Sequence, residues 1–245
     1  MNSIANRIRE AQKRAVWLGI GIPCNYEHVP RAFFESMMVL RKPEYQFILS
    51  TYGDIAEMRN NIVEEALAAK CTHLLMIDTD MIYHPNTIYS LLAHERPVVG
   101  ALCFRRKPPF DPLMLKGQPG SYTSIDEWNK DDLVEVDATG TGCLMFDMDI
   151  FKKMPRPWFV VRRNPDGSPI GEDIGFCHEL RKAGYRIFVD TSIPSAHLST
   201  MQVTEETYRW YKAVATRNYY KRGNKEEMKN GSEGRETGFS QIQRQ

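Results

Sequence analysis

Nowhere does this sequence run to the roughly 18 consecutive apolar residues that a membrane-spanning helix needs. The opening residues, MNSIANRIREAQKRA, place charges where an export signal requires an apolar run. Cysteine is sparse: Cys24, Cys71, Cys103, Cys143 and Cys177 form no C-x-x-C spacing, and their odd number argues against a complete disulfide framework or a thiolate zinc site. Neither sign of charge is in excess, with 32 Lys+Arg against 31 Asp+Glu and a formal net charge of +1. No global field would therefore draw the chain to nucleic acid or acidic lipid. Together these absences predict a soluble, cytoplasmic protein with no membrane span, and no internal repeat suggests an array.

What is present suits one globular domain, with 245 residues, 42% hydrophobic and 26% charged. A polar helix over 2–15 precedes the apolar, proline-ended VWLGIGIP (16–23), which reads as a buried strand. A helix over 30–42 begins with proline, QFILSTY (46–52) reads as a strand, and Asp54 can cap a helix running to Lys70. In that helix Ile55, Met58, Ile62, Ala66 and Ala69 form one stripe. HLLMID (73–78), a helix over 85–94 and RPVVGALCF (96–104) complete a β-α-β-α-β order, predicting an open, mostly parallel α/β sheet.

The later residues read as more mixed. Proline, glycine and charge fill 105–132, a long surface excursion with room for a short hairpin. LVEVDATGTGCLMFD (133–147) reads as two short strands around Gly140, Thr141 and Gly142, and 154–171 as a strand followed by a turn-rich loop. GEDIGFCHELRKAGYRIFVD (171–190) is a helix with acids in its first turn and Gly184 past its end, then a strand. From Arg222 onward the chain is polar and nearly without large apolar residues, so disorder is predicted for 222–245. The expected organisation is a single domain over 1–221, with a nucleotide-sugar-binding half (1–104) and an acceptor and catalytic half (105–221).

Asp78 and Asp80 follow LLMI directly. If the backbone there stays extended, both carboxylates project to one side at the strand's carboxyl edge, where a parallel sheet has its ligand crevice. Such a pair repels itself unless a cation or protons intervene, and Mg²⁺ or Mn²⁺ is the economical partner because hard ions take one or two carboxylates plus substrate phosphates. A solvated strand-end turn is the plain structural alternative. For Glu172 and Asp173 the plain alternative is favourable placement in a helix's first turn, worth roughly 0.3–1 kcal/mol each.

MIDTDM, followed far along by a Glu-Asp pair opening a helix, a strand and IPSAHL, resembles the pattern of GT-A fold glycosyltransferases, family 2-like. The resemblance spans about Val16 to His197. It implies a GT-A-like fold, with a Rossmann-like nucleotide-binding half and a mixed acceptor half, and a hexosyltransferase-type activity. It implies further that Asp78, Asp80 and His197 hold Mn²⁺ or Mg²⁺, that Asp173 is the general base with Glu172 in support, and that Arg59 lies near the donor's nucleotide. Gly140, Thr141 and Gly142 resemble the small-residue loop that approaches donor sugar or acceptor. The donor would be a UDP- or GDP-linked sugar and the acceptor a hydroxyl of unidentified class. Nucleic acid is not indicated, although a modified base remains among the acceptors.

Three features depart from that pattern or stand beside it. Where many members of the family end their first strand with an acid that grips the nucleobase, this chain has Pro23, Cys24 and Asn25. Arg105, Arg106 and Lys107 could neutralise phosphate, yet they also suit a solvated loop. Trp158 could stack on a sugar, although an aromatic beside FVV more often packs in a core. Other readings of the acidic pair are a haloacid dehalogenase-like phosphatase with Asp78 as nucleophile, a sugar-phosphate nucleotidyltransferase, and a non-catalytic nucleotide-sugar-binding protein.

Overall fold

Alternation of apolar side chains along five consecutive strand segments divides the interior into two layers. In the computed structural model, which describes residues 4–164, 166–200 and 204–214, helix α1 (Ile4–Gln12) leads into β1 (Trp17–Pro23), α2 (Arg31–Val39) and β2 (Glu44–Ser50). Helix α3 (Ile55–Ala68), β3 (His73–Ile77), the short β4 (Met81–Ile82), α4 (Thr87–Leu92) and β5 (Val98–Leu102) follow. The long excursion carries a small hairpin, β6 (Leu115–Lys116) and β7 (Thr123–Ser124), and ends at β8 (Leu133–Val136). Then come β9 (Cys143–Asp147), α5 (Asp149–Lys153), a second small hairpin β10 (Arg162–Arg163) and β11 (Pro169–Ile170), α6 (Glu172–Lys182), β12 (Ile187–Pro194) and β13 (Ala196–His197).

Seven strands form the central sheet in the order β2-β1-β3-β9-β5-β12-β8. β1, β2, β3, β5 and β12 run in one direction, and only β9 and β8 oppose them, so the sheet is mostly parallel as the sequence predicts. On one face Leu74, Met76, Leu144, Phe146 and Val189 pack with Ile62, Ala66, Phe176 and Leu180 of α3 and α6. On the other, Leu18, Ile20, Leu75, Ile77, Val99 and Met145 pack with Phe33, Ile88 and Leu91 of α2 and α4. A period of two within strands sandwiched between helices is what produces this three-layer core.

Close approach of α3 depends on Gly21, where an added Cβ would stand 2.3 Å from Ile62 Cγ2. The helix starts where the sequence places it, with Asp54 Oδ1 accepting from Glu57 N at 2.8 Å. Helix α6 stops at a left-handed Gly184, φ +86°.

Two expectations change. The segments around Gly140–Gly142 are strands but not neighbours: β9 sits between β3 and β5, whereas β8 lies at the far edge beside β12. The strand expected from Met154 is reduced to the two residues of β10, because Trp158 and Phe159 turn inward and a side chain takes the role of a partner strand. Asn60 Oδ1 accepts from the N–H groups of Trp158 and Phe159, and its Nδ2 donates to the Phe159 carbonyl at 2.8 Å. Trp158 thus belongs to the core, with its ring edge-on to Phe151.

Met1–Ser199 forms one unit and Thr200–Gln245 a second, of which a helix over 205–214 is described. The tail expected from Arg222 lies outside the described residues. Among those residues no helix is long and apolar enough to cross a membrane.

Candidate active site

Three carboxyl-end loops of the sheet, after β1, β3 and β5, meet at one cavity of about 480 Å³. Its lining includes Pro23, Tyr26, His28, Arg59, Asp78, Asp80 and Arg106. Both acids of the Asp-x-Asp pair therefore open on a common space, although the backbone leaves the extended form and turns at Thr79 and Asp80. The turn is braced from below. Tyr83, a buried side chain, shares its hydroxyl hydrogen between the carbonyls of Asp78 (2.8 Å) and Gly142 (2.7 Å), and Asp78 N–H donates to the Gly142 carbonyl. Burial pushes the Tyr83 hydroxyl well above its ordinary pKa, so it stays a protonated donor.

Because of that turn the two carboxylates take different partners. Asp78 Oδ1 accepts from Arg59 Nη2 at 3.1 Å. Asp80 Oδ2 accepts from Arg106 Nη1 at 2.7 Å and faces His197 Nε2 at 3.3 Å. His197 arrives from far along the chain: β12 breaks register between Asp190 and Pro194, and the redirected chain pairs β13 with β4, matching His197 to Met81.

Arg59 is buried, at 4% exposure, and also donates from Nη1 to Glu172 Oε1 at 2.6 Å. Burial opposes its charge, but Asp78, Glu172 and Asp173 outweigh that and raise its pKa further. Burial, with the neighbouring acids, raises the proton affinity of Glu172 and Asp173 against the pull of Arg59. The cluster of Asp78, Asp80, Glu172 and Asp173 against Arg59 and Arg106 has two negative charges more than positive ones when all six are ionised, so a divalent cation would balance it.

The Gly140–Gly142 turn links the two groups of acids. An added Cβ at Gly142 would lie 3.2 Å from Asp78 Oδ2, and one at Gly140 would lie 3.6 Å from Asp173 Oδ2. Between them Thr141 is 1% exposed, and its hydroxyl is without a hydrogen-bond partner among the described residues. A buried hydroxyl without a partner is costly unless something else meets it.

The chemistry at Asp80 and His197 suits a cation. His197 Nδ1 lies 2.8 Å from the Phe104 carbonyl, so it donates there, and Nε2 is left facing Asp80. With no cation, Nε2 must carry a proton to face a carboxylate. Burial would lower the His197 pKa, but the Asp80 and Phe104 oxygens outweigh it and raise it. Correspondingly, burial of Asp80 is outweighed by His197 and Arg106, which hold its pKa below the ordinary carboxylate value. Among the described residues no three His, Cys, Asp or Glu side chains converge on one point. Asp80 and His197 would thus supply two positions of a coordination shell and leave the others to phosphate oxygens and water.

The sequence pattern pointed to Asp78, Asp80, Arg59, Glu172, Asp173, His197 and the Gly140–Gly142 turn, and the fold gathers all of them around linked contacts. It gave no sign of Tyr83, whose role depends on two carbonyls, or of Gly171, where a Cβ would lie 2.7 Å from Asp173 Oδ1. Tyr26 and His28 also line the cavity, a placement visible only once the loop after β1 is seen to reach it.

No protein-family model matches the sequence, and no curated protein matches it. Solved structures do resemble the fold. The crystal structure of A197 from STIV is similar over 78% of this chain and 97% of its own, with a TM-score of 0.53 and 16% identity. The crystal structure of GalNAc-T7 with UDP, GalNAc and Mn²⁺ is similar over 78% of this chain and 45% of that longer one, with a TM-score of 0.54 and 10% identity. At these identities the likeness is one of architecture. The chain has a GT-A-like α/β fold, a seven-stranded central sheet flanked by helices, which it shares with a glycosyltransferase.

Proposed function

We propose that this chain is a metal-dependent glycosyltransferase of the Asp-x-Asp type, family 2-like, moving a sugar from a nucleoside diphosphate donor to an acceptor hydroxyl with inversion. The observation that carries the reading is the cavity shared by Asp78, Asp80 and Arg59, joined through Arg59 to the acids that open α6. The likeness to a protein solved with UDP, GalNAc and Mn²⁺ supports a UDP-linked donor, with a GDP-linked one as the alternative.

Asp80 and His197 would hold the ion, with Asp78 lining the same cavity, and when bound the ion supplies positive charge for the departing diphosphate. An imidazole in the set favours Mn²⁺ over Mg²⁺, which prefers oxygen and its own water. Arg59 holds Asp78 toward the donor side. Tyr26 and His28 line the cavity where the nucleoside would sit. Asp173 accepts the acceptor's proton as its oxygen bonds to the anomeric carbon and the bond to the diphosphate breaks. A carboxylate so placed accelerates transfer by about 10²–10⁴-fold. Glu172 keeps Arg59, and with it the spacing of the acids, in place.

Incubation with Mn²⁺ and a panel of UDP- and GDP-linked sugars tests the reading. Metal-dependent release of nucleoside diphosphate supports it. Phosphate release from phosphomonoesters with no turnover of any donor would instead favour a phosphatase, and donor binding without turnover a binding protein.

A further inference from the structure

Asp80 Oδ2 serves two positive groups at once, Arg106 at 2.7 Å and His197 at 3.3 Å. They are not held alike. The His197 ring is fixed by the Phe104 carbonyl and by the pairing of β13 with β4, and its side chain is 16% exposed. The Arg106 side chain is 59% exposed and stands at the wall of the cavity lined by Arg59, Asp78 and Tyr26. Its backbone is anchored: Phe104 bridges to Pro112, Arg105 N–H donates to the Asp111 carbonyl, and Ser199 Oγ donates to the Arg106 carbonyl at 2.9 Å. A guanidinium on a fixed root can thus reorient while the loop stays put.

We propose that Arg106 is a two-position clamp: it neutralises Asp80 while the cavity is empty, yields that oxygen to the arriving divalent cation, and then turns to the donor's diphosphate. This rests on the function proposed above. Two arguments carry it. A guanidinium and a divalent cation repel each other, so each weakens the other's hold on a shared carboxylate oxygen, and a pair this exposed is weak enough to be exchanged. Once displaced, the planar fork of an arginine matches phosphate oxygens two at a time, at the wall of the same cavity.

The consequence is a pair of effects with opposite signs. In the full chain, Arg106→Gln should bind Mn²⁺ alone about two- to fivefold more tightly, because a competitor for Asp80 is gone. At saturating Mn²⁺ the same variant should bind UDP or GDP about tenfold or more weakly, because a charge-assisted contact to phosphate is lost. Arg106→Lys should fall between the two. Mn²⁺ binding is read by electron paramagnetic resonance of the free ion and diphosphate binding by calorimetry, with thermal melts to confirm that both variants fold. A structural salt bridge alone would leave both affinities unchanged or weaken both, and either result overturns the clamp while the wild-type binding leaves the proposed function standing. Failure of the wild type to bind Mn²⁺ with either diphosphate would overturn both.

Discussion

Arg59 Nη1 donates to Glu172 Oε1 over 2.6 Å, joining residues 113 positions apart and tying α3 to the first turn of α6 with one buried guanidinium. Removing either partner leaves a buried charge uncompensated, which costs about 3–5 kcal/mol. Arg59→Met should therefore lower the denaturant midpoint sharply, and adding Glu172→Gln should restore much of it. Donor binding should not return in the double variant, because Asp78 still lacks its partner. Recovery of donor binding along with stability would show that Arg59 serves only the fold.

Asp80→Asn should abolish the dependence of donor binding on Mn²⁺ while leaving the melting temperature near that of the wild type. The residue is partly exposed, and its closest partner, Arg106, can turn to water. Asp78→Asn should cost more stability, since Asp78 faces a buried arginine. Titration of UDP or GDP with and without Mn²⁺ reads the first effect, and tight metal-dependent binding by Asp80→Asn would reverse the assignment.

As the proposed base, Asp173 should set the pH profile. Burial first, then the charge of Asp78, raises its pKa above the ordinary value of 3.8, against the pull of Arg59 and the Ile174 N–H. The base form must be ionised to accept a proton, so the transfer rate should rise with pH through that raised value and then level off. Asp173→Asn should remove this ascending limb and slow transfer by about 10²–10⁴-fold with donor affinity kept. An unchanged rate would assign the base elsewhere.

A separate prediction concerns stability. His94 Nε2 lies 2.5 Å from Asp190 Oδ2, with both side chains buried, while Ser192 donates to Asp190 Oδ1 from its N–H and hydroxyl. Burial would raise the Asp190 pKa, but these bonds outweigh it and hold the value below 3.8. A depressed carboxylate stabilises the fold above its unfolded value and loses that contribution as pH falls through the folded one. The urea midpoint should thus drop between about pH 5 and pH 2, and more shallowly in Asp190→Asn. Parallel curves for the two proteins would refute the linkage.

Much of this was legible in local pattern. Strand-like runs ending at Pro23 and Asp78, the stripe on α3, the cap at Asp54 and the stop at Gly184 all depend on neighbours within a few residues, and all stand where the sequence puts them. What stayed hidden depends on distant partners. Nothing near Cys143 says that its strand enters between β3 and β5, because strands buried on both faces look alike wherever they are inserted. Nothing in WFVV reveals that Asn60, nearly a hundred residues earlier, holds its backbone and keeps it from pairing as a strand. The candidate acids were visible because an apolar run and a helix start place them. Arg106 was ambiguous because a short charge run reads the same on any loop.

The position of β9 has a consequence for any attempt to divide the molecule. Residues 1–104 supply β3 and β5, yet those strands do not touch; β9, from the later half of the chain, completes the hydrogen bonds of both. A fragment ending at 104 would expose two open strand edges in the middle of its hydrophobic layers. The expected half over 1–104 therefore cannot be excised as a folding unit of its own, and changes to the cavity would have to be made in the loops at its rim.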